Sequence, residues 1–243
     1  MSNQQTTPSP SGADHPAGPD GPRPPRLIVF DVNETLSDMS PMAGRFEDVG
    51  APGHLAATWF AGLLRDGFAL TVVGSSDTFA RIAADSLRVM LSGTPLDRGV
   101  EDAVSHVLEG FAGLPVHDDV AKGLRALAGQ GIRLVTLSNG STSVAEALLG
   151  RAGVDDQLER LLSVEDAGRW KPAPEAYAYA LAECGVDPEE AMLVAVHPWD
   201  VDGAARAGLA TAWLDRRGTP YPGYFRAPDL RATSLVDLAE QLG

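Results

Sequence analysis

The sequence predicts an α/β protein: a doubly wound parallel sheet with a helical segment inserted after its first strand. Three observations carry this. Three short apolar runs, Arg26–Asp31 (RLIVFD), Ile132–Leu137 (IRLVTL) and Ala191–Val196 (AMLVAV), have the length and continuous apolar character of strands buried on both faces. From about residue 115 onward such runs alternate with segments of helical periodicity, the pattern of βαβ units. Between the first and second runs the alternation breaks, and residues 38–113 hold helical patterns only.

In chain order, residues 1–25 are rich in Pro, Ser and Gly and lack the basic start and apolar stretch of a signal peptide. They read as a disordered tail outside the fold. Within 38–113, His54–Arg65, Ser76–Leu91 and Val100–Phe111 repeat apolar residues at helical spacing, separated by Gly50-Ala-Pro-Gly53 and Gly93-Thr-Pro95. These helices are expected to form a cap over the sheet edge, leaving residues 26–37 and 114–243 as the core domain. In the core, Asp118–Gly129 reads as a helix stopped by Gln130-Gly131. Ser143–Leu149 and Pro174–Cys184 read as further helices, and Thr211–Leu214 as a fourth strand. No internal repeat is present.

A chain of 243 residues buries a substantial core without disulfides. Its single cysteine, Cys184, has no internal partner, which fits a reducing, cytoplasmic setting; on its expected helix it reads as a small buried hydrophobe. Lys and Arg number 19 against 33 Asp and Glu, and the net charge of -14 argues against nucleic acid or an anionic membrane as partner. Any anion site must therefore be built locally. No apolar run approaches the roughly 20 residues of a membrane span. His15, His54, His106 and His117 show no metal-ligand spacing.

Ligands of an open parallel sheet bind beyond the carboxyl ends of its strands, so the residues just after each run are informative. The first run leads into Asp31-Val-Asn33-Glu-Thr35, the second into Ser138-Asn139-Gly140, the third into His197-Pro-Trp199-Asp200-Val-Asp202. Between the last two lies Arg169-Trp170-Lys171-Pro-Ala-Pro174, presenting one lysine. Singly, each has an ordinary explanation as a turn, a helix cap or a solvated side chain. Together they bring a carboxylate, a hydroxyl–amide pair, an ammonium and a second carboxylate to converging positions, which composes a reaction centre.

These clusters resemble the motifs of the haloacid dehalogenase superfamily, and within it the type II L-2-haloacid dehalogenases. Asp31 and Thr35 match the first motif and Leu137–Ser141 (LSNGS) the second. Lys171, Pro172 and Tyr177 match the lysine motif, and Trp199-Asp200 the last. The likeness runs from about Arg26 to the C-terminus. It implies a HAD-like, Rossmann-type core with a helical cap and an active site between them. It also implies Asp31 as nucleophile, Lys171 pairing the carboxylates and Asp200 activating water. Thr35, Ser138 and Asn139 would hold the nucleophile or the substrate carboxylate. Leu64, Phe79 and Trp199 would wall the substrate, with Asn33 and His197 beside it. The implied activity is hydrolytic dehalogenation of a short 2-haloacid through an ester at Asp31. The implied partner is a small carboxylic acid, with neither metal nor organic cofactor, in the homodimer that related dehalogenases often form.

The chain departs from the resembled patterns at several positions. Superfamily phosphatases carry a second Asp two residues after the nucleophile, which protonates the leaving alkoxide; here that residue is Asn33, and an amide exchanges no proton at neutral pH. A halide leaves without a proton, so Asn33 fits dehalogenation better. The dehalogenases bind the leaving halide with an arginine directly after a cap tryptophan, where this chain has Phe60 after Trp59. Arg45 and Arg65 are the nearby cations, Arg65 being off the Phe60 face. His197 and Ala195 replace an Asn and a Ser of the last motif. Two alternatives stand beside dehalogenation. One is a Mg²⁺-dependent phosphatase with Asp31, Asn33, Asp200 and Asp202 as oxygen ligands. The other is a binding protein that keeps the fold without turnover. The intact Asp31, Lys171 and Asp200 favour an enzyme.

Overall fold

The computed structural model describes residues 24–243, so the expected tail lies, but for its last two residues, outside the described part. Six strands, β1 (Leu27–Phe30), β2 (Arg133–Ser138), β3 (Arg160–Ser163), β4 (Ala191–Ala195), β5 (Ala210–Leu214) and β6 (Leu230–Ala232), form one parallel sheet. Their order is β3-β2-β1-β4-β5-β6. The winding reverses between β1 and β4, and there the crossovers diverge and leave a crevice at the carboxyl ends. Phe30 lies level with Thr136 of β2 and Val194 of β4, so the residues after these strands emerge side by side.

Successive side chains of a strand face opposite layers. Leu27, Val29, Leu193 and Ala195 face one core cluster, while Ile28, Phe30, Met192 and Val194 face another. The second cluster is covered by α5 (Val120–Gly129) and α10 (Leu235–Leu242). The first is covered by α8 (Pro174–Cys184) and α9 (Pro198–Arg206). Two further core helices are α6 (Thr142–Ala152) and the single turn α7 (Val164–Ala167). Helices α5 and α10 meet at Gly123, where an added Cβ would stand 2.2 Å from Leu235 Cβ and 2.8 Å from its carbonyl carbon. Gly123→Ala is therefore expected to cost roughly 1–3 kcal/mol through overpacking. Urea unfolding checks this: the midpoint should fall with an unchanged slope.

Between β1 and α5 stand α1 (Met42–Glu47), α2 (Leu55–Val72), α3 (Phe79–Ser92) and α4 (Val100–Ala112), which pack on one another. Phe46, Phe60 and Phe111 surround the Trp59 ring at centroid distances of 6.1, 6.4 and 5.8 Å. The structure extends the second of these helices to Val72, beyond the expected end at Arg65. It also adds elements that the periodicity does not mark. The exposed, charged start of β3 and the three residues of β6 carry too little pattern. Helix α9 starts on a proline, which is well placed at a first helical position but reads as loop in sequence. Among the described residues no helix is long and apolar enough to cross a membrane.

Candidate active site

Asp31 leaves the end of β1 with its N–H bonded to Val194 O of β4 at 3.1 Å. The chain then turns through Glu34, whose φ of 61° lies in the left-handed region that disfavours a side chain with a Cβ. The Thr35 hydroxyl donates to Asp31 Oδ2 at 2.6 Å and accepts the Val196 N–H at 3.1 Å, so it clasps the Asp31 carboxylate to the end of β4. Arg216 braces the same turn, donating to Thr35 O at 2.9 Å and to Asp119 at 2.7 Å.

Lys171, buried completely, joins the two carboxylates. Its Nζ donates to Asp31 Oδ1 at 2.9 Å and to Asp200 Oδ2 at 2.6 Å. The other Asp200 oxygen accepts the Tyr177 hydroxyl of α8 at 2.6 Å. Asn139 brackets the lysine backbone: its Oδ1 accepts the Lys171 N–H at 2.9 Å and its Nδ2 donates to Lys171 O at 3.4 Å. Ser138 Oγ accepts the Gly140 N–H at 2.9 Å, and Ser163 at the end of β3 donates to Gly140 O at 2.9 Å. A Cβ at Gly140 would stand 3.3 Å from Ser138 Oγ, 3.8 Å from Asn33 Nδ2 and 3.9 Å from the Phe79 ring, so these groups share one small space.

His197 Nε2 lies 3.1 Å from Asn33 O, 3.6 Å from Asp31 Oδ2 and 3.7 Å from Glu34 Oε2. All three are acceptors, so this nitrogen carries a proton. The His197 ring stacks on Trp199 (4.9 Å, 20°), and Trp199 meets Phe68 of α2 edge-on (4.9 Å, 63°). A cleft of about 1210 Å³ runs between α2 and the strand ends, its walls including Glu34, Phe60, Leu64, His197 and Trp199. Asp31 is buried next to His197 and is not among the residues lining this cleft. Phe79 instead stacks between Phe111 (5.4 Å) and Trp170 (5.9 Å).

The structure thus brings together Asp31, Asn33, Thr35, Ser138, Asn139, Lys171, His197 and Asp200, and places Leu64, Phe79 and Trp199 around them. It does not bring in every group the sequence nominated. Arg65 is exposed and pairs with Asp66 at 2.8 Å, while the Arg45 stem lies along α4 at Gly110, so the position at Phe60 stays aromatic. Asp202 follows Asp200 on α9 by two residues, a rotation of about 200°. Its carboxylate accepts from Arg206 at 2.8 Å and from the Arg226 N–H at 3.0 Å. Asp202, the last of the four nominated Mg²⁺ ligands, is thus engaged away from the Asp31–Lys171–Asp200 bridge. Sequence reasoning assigns no role to Tyr177, Ser163, Glu34 or Trp170. Tyr177 is marked by its motif, whereas Ser163 ends a strand whose pattern is too weak to read.

The haloacid dehalogenase-like hydrolase family matches residues 25–208. The chain belongs to the haloacid dehalogenase-like hydrolases. It is 28% identical over 215 residues to a (S)-2-haloacid dehalogenase of Pseudomonas sp. (strain YL), covering 88% of this chain and 92% of that one. It is 29% identical over 204 residues to haloacetate dehalogenase H-2 of Moraxella sp. (strain B), covering 83% and 91%. A dehalogenase crystal structure with an intermediate complex superposes with a TM-score of 0.84 at 27% identity, covering 90% of this chain and 98% of that one.

In this haloacid dehalogenase-like hydrolase the charges of the site settle one another. Burial alone would push the Asp31 carboxyl up, but the Lys171 ammonium, the His197 ring and the Thr35 hydroxyl outweigh it and hold the carboxyl below its usual range. Asp200 is pushed above that range by burial and by the Asp31 charge, which Lys171 only partly offsets. Burial acts to lower Lys171, yet the two carboxylates keep it above its ordinary value. Two like groups with pKa values driven apart suit two tasks, an ionised nucleophile and a proton acceptor. The site thus offers an ionised carboxylate beside an ammonium and a second carboxylate able to accept a proton.

Proposed function

We propose that this hydrolase removes halide from small 2-haloacids through an ester at Asp31. The observation that carries the reading is the buried Asp31–Lys171–Asp200 bridge with Asn33 two residues after the nucleophile. Such a centre activates a carboxylate nucleophile and offers no acid at Asn33 for a leaving alkoxide. The 2-haloacid and haloacetate activities named for the relatives support it.

An Asp31 oxygen attacks C2 of the substrate from the side opposite the halogen. The C–O bond forms as the C–X bond breaks, and halide departs with the electron pair. Water then attacks the ester carbonyl of Asp31 while Asp200 takes its proton. As the acyl C–O bond breaks, Asp200 returns that proton to the departing alkoxide; the 2-hydroxy acid leaves inverted at C2, and Asp31 is regenerated as its remaining proton passes to solvent. The route calls on no metal and no organic cofactor.

The test pairs two assays on purified protein, each with EDTA and with Mg²⁺. Halide release is followed from each enantiomer of 2-chloropropionate and 2-bromopropionate, and phosphate release from a generic phosphate monoester. Halide from the L enantiomers, undiminished by EDTA, is the expected result. Phosphate released only with Mg²⁺, without halide, overturns the reading.

A further inference from the structure

The residue before the lysine is held by the helices over the sheet. Trp170 is buried, and both of its N–H groups reach across to that layer. Its backbone N–H donates to Thr71 Oγ1 at 3.3 Å and its indole Nε1–H to the Asp77 carbonyl at 3.1 Å. The indole lies parallel to Phe79, with centroids 5.9 Å apart and planes 13° apart. Its six-membered ring fills a notch in α2 that a side chain would close: a Cβ on Gly67 would stand 2.4 Å from Cε3 and Cζ3. One residue on, Lys171 spans Asp31 and Asp200.

We propose that Trp170 is a positioning residue, fastening the backbone of Lys171 to the cap so that the lysine bridges both carboxylates only while the cap is seated. The inference rests on the reading of Asp31 and Lys171 as reacting groups. Lys171 approaches from inside the protein with no exposed surface, so the place of its Nζ is set by the place of its backbone. Asn139 grips that backbone from the core and Trp170 from the cap. The first grip alone leaves the segment free to shift when the indole is displaced. Misplacement by about 1 Å in such a centre lowers turnover about 100-fold.

Four variants test this: Gly67→Ala, which drives a methyl into the indole; Thr71→Val, which removes one acceptor and keeps the shape; the double variant Gly67→Ala/Trp170→Phe, in which a smaller ring leaves room for the methyl; and Leu87→Ala, which damages the cap core elsewhere. Backbone hydrogen exchange at residues 170 and 171 is read by mass spectrometry, and kcat and KM for halide release are taken per folded molecule. Gly67→Ala is expected to speed exchange there about 10-fold or more and to lower kcat about 10- to 100-fold with KM held within about 2-fold. Thr71→Val should move both in the same direction by less. The double variant should recover part of both losses, since the two sites share one contact. Leu87→Ala should lower the melting temperature without selective exchange at 170 and 171. Unchanged exchange and kcat in Gly67→Ala and Thr71→Val overturn the proposal, as does a Leu87→Ala variant that matches them in both readouts. Should the wild-type protein release no halide, the functional reading fails, while the exchange data still decide whether Gly67 and Thr71 hold the segment.

Discussion

Asp31→Asn is expected to abolish halide release, with a loss of at least about 10⁴-fold, the scale on which removing a covalent nucleophile is felt. The substitution conserves shape but leaves one oxygen: turned toward Lys171 it accepts the ammonium now 2.9 Å away, while the amide NH₂ takes the place of the oxygen that accepts from the Thr35 hydroxyl at 2.6 Å, and that bond is lost. What disappears is the negative charge and the lone pair that attacks carbon on the proposed route. Initial-rate halide assays on protein with an unchanged circular dichroism spectrum measure this. Activity within about 10-fold of wild type would remove Asp31 from the nucleophile's place and leave direct attack by water as the route.

Lys171→Met should lose activity on a similar scale and, unlike Asp31→Asn, should also lose stability in a pH-dependent way. It strands two buried carboxylates without their cation, and breaking a buried pair from one side costs about 3–5 kcal/mol. Lys171 holds Asp31 below its ordinary value, and a carboxyl depressed on folding stabilises the protein above its unfolded pKa and ceases to as pH falls through the folded one. Without the ammonium, burial drives both carboxyls upward, so each folds more readily protonated than charged. The deficit of Lys171→Met against wild type should therefore be largest near neutral pH and shrink toward about pH 4. Urea midpoints at the two pH values check this. A deficit that grows in acid would mean that Lys171 does not hold these carboxylates ionised.

Much of the sheet was legible because buried parallel strands advertise themselves as short continuous apolar runs. Phe30, Leu137 and Val194 stand in strands where the runs placed them. What escaped was short or carried by contact: α1 has six residues, β6 three, and α9 opens on Pro198. In the site, Asp31, Lys171 and Asp200 were legible because charged residues at strand ends and beside them have few structural reasons to converge. Their environment was not. That Asn139 brackets the lysine backbone, that Glu34 adopts a left-handed φ beside His197, and that Gly67 opens a notch for Trp170 depend on residues distant in sequence. In sequence Gly67 falls beyond the expected helix end at Arg65, and only the indole against it explains the glycine within α2.

The most direct test of the aspartyl ester is a single turnover in H₂¹⁸O, with enzyme in excess over an L-2-haloacid and both the product and the Asp31 peptide analysed by mass spectrometry. Attack of water on the ester carbonyl places ¹⁸O in the Asp31 carboxylate and delivers a 2-hydroxy acid whose new oxygen is unlabelled, because that oxygen came from Asp31. A labelled product beside an unlabelled Asp31 would contradict the ester and show that water attacks C2 directly.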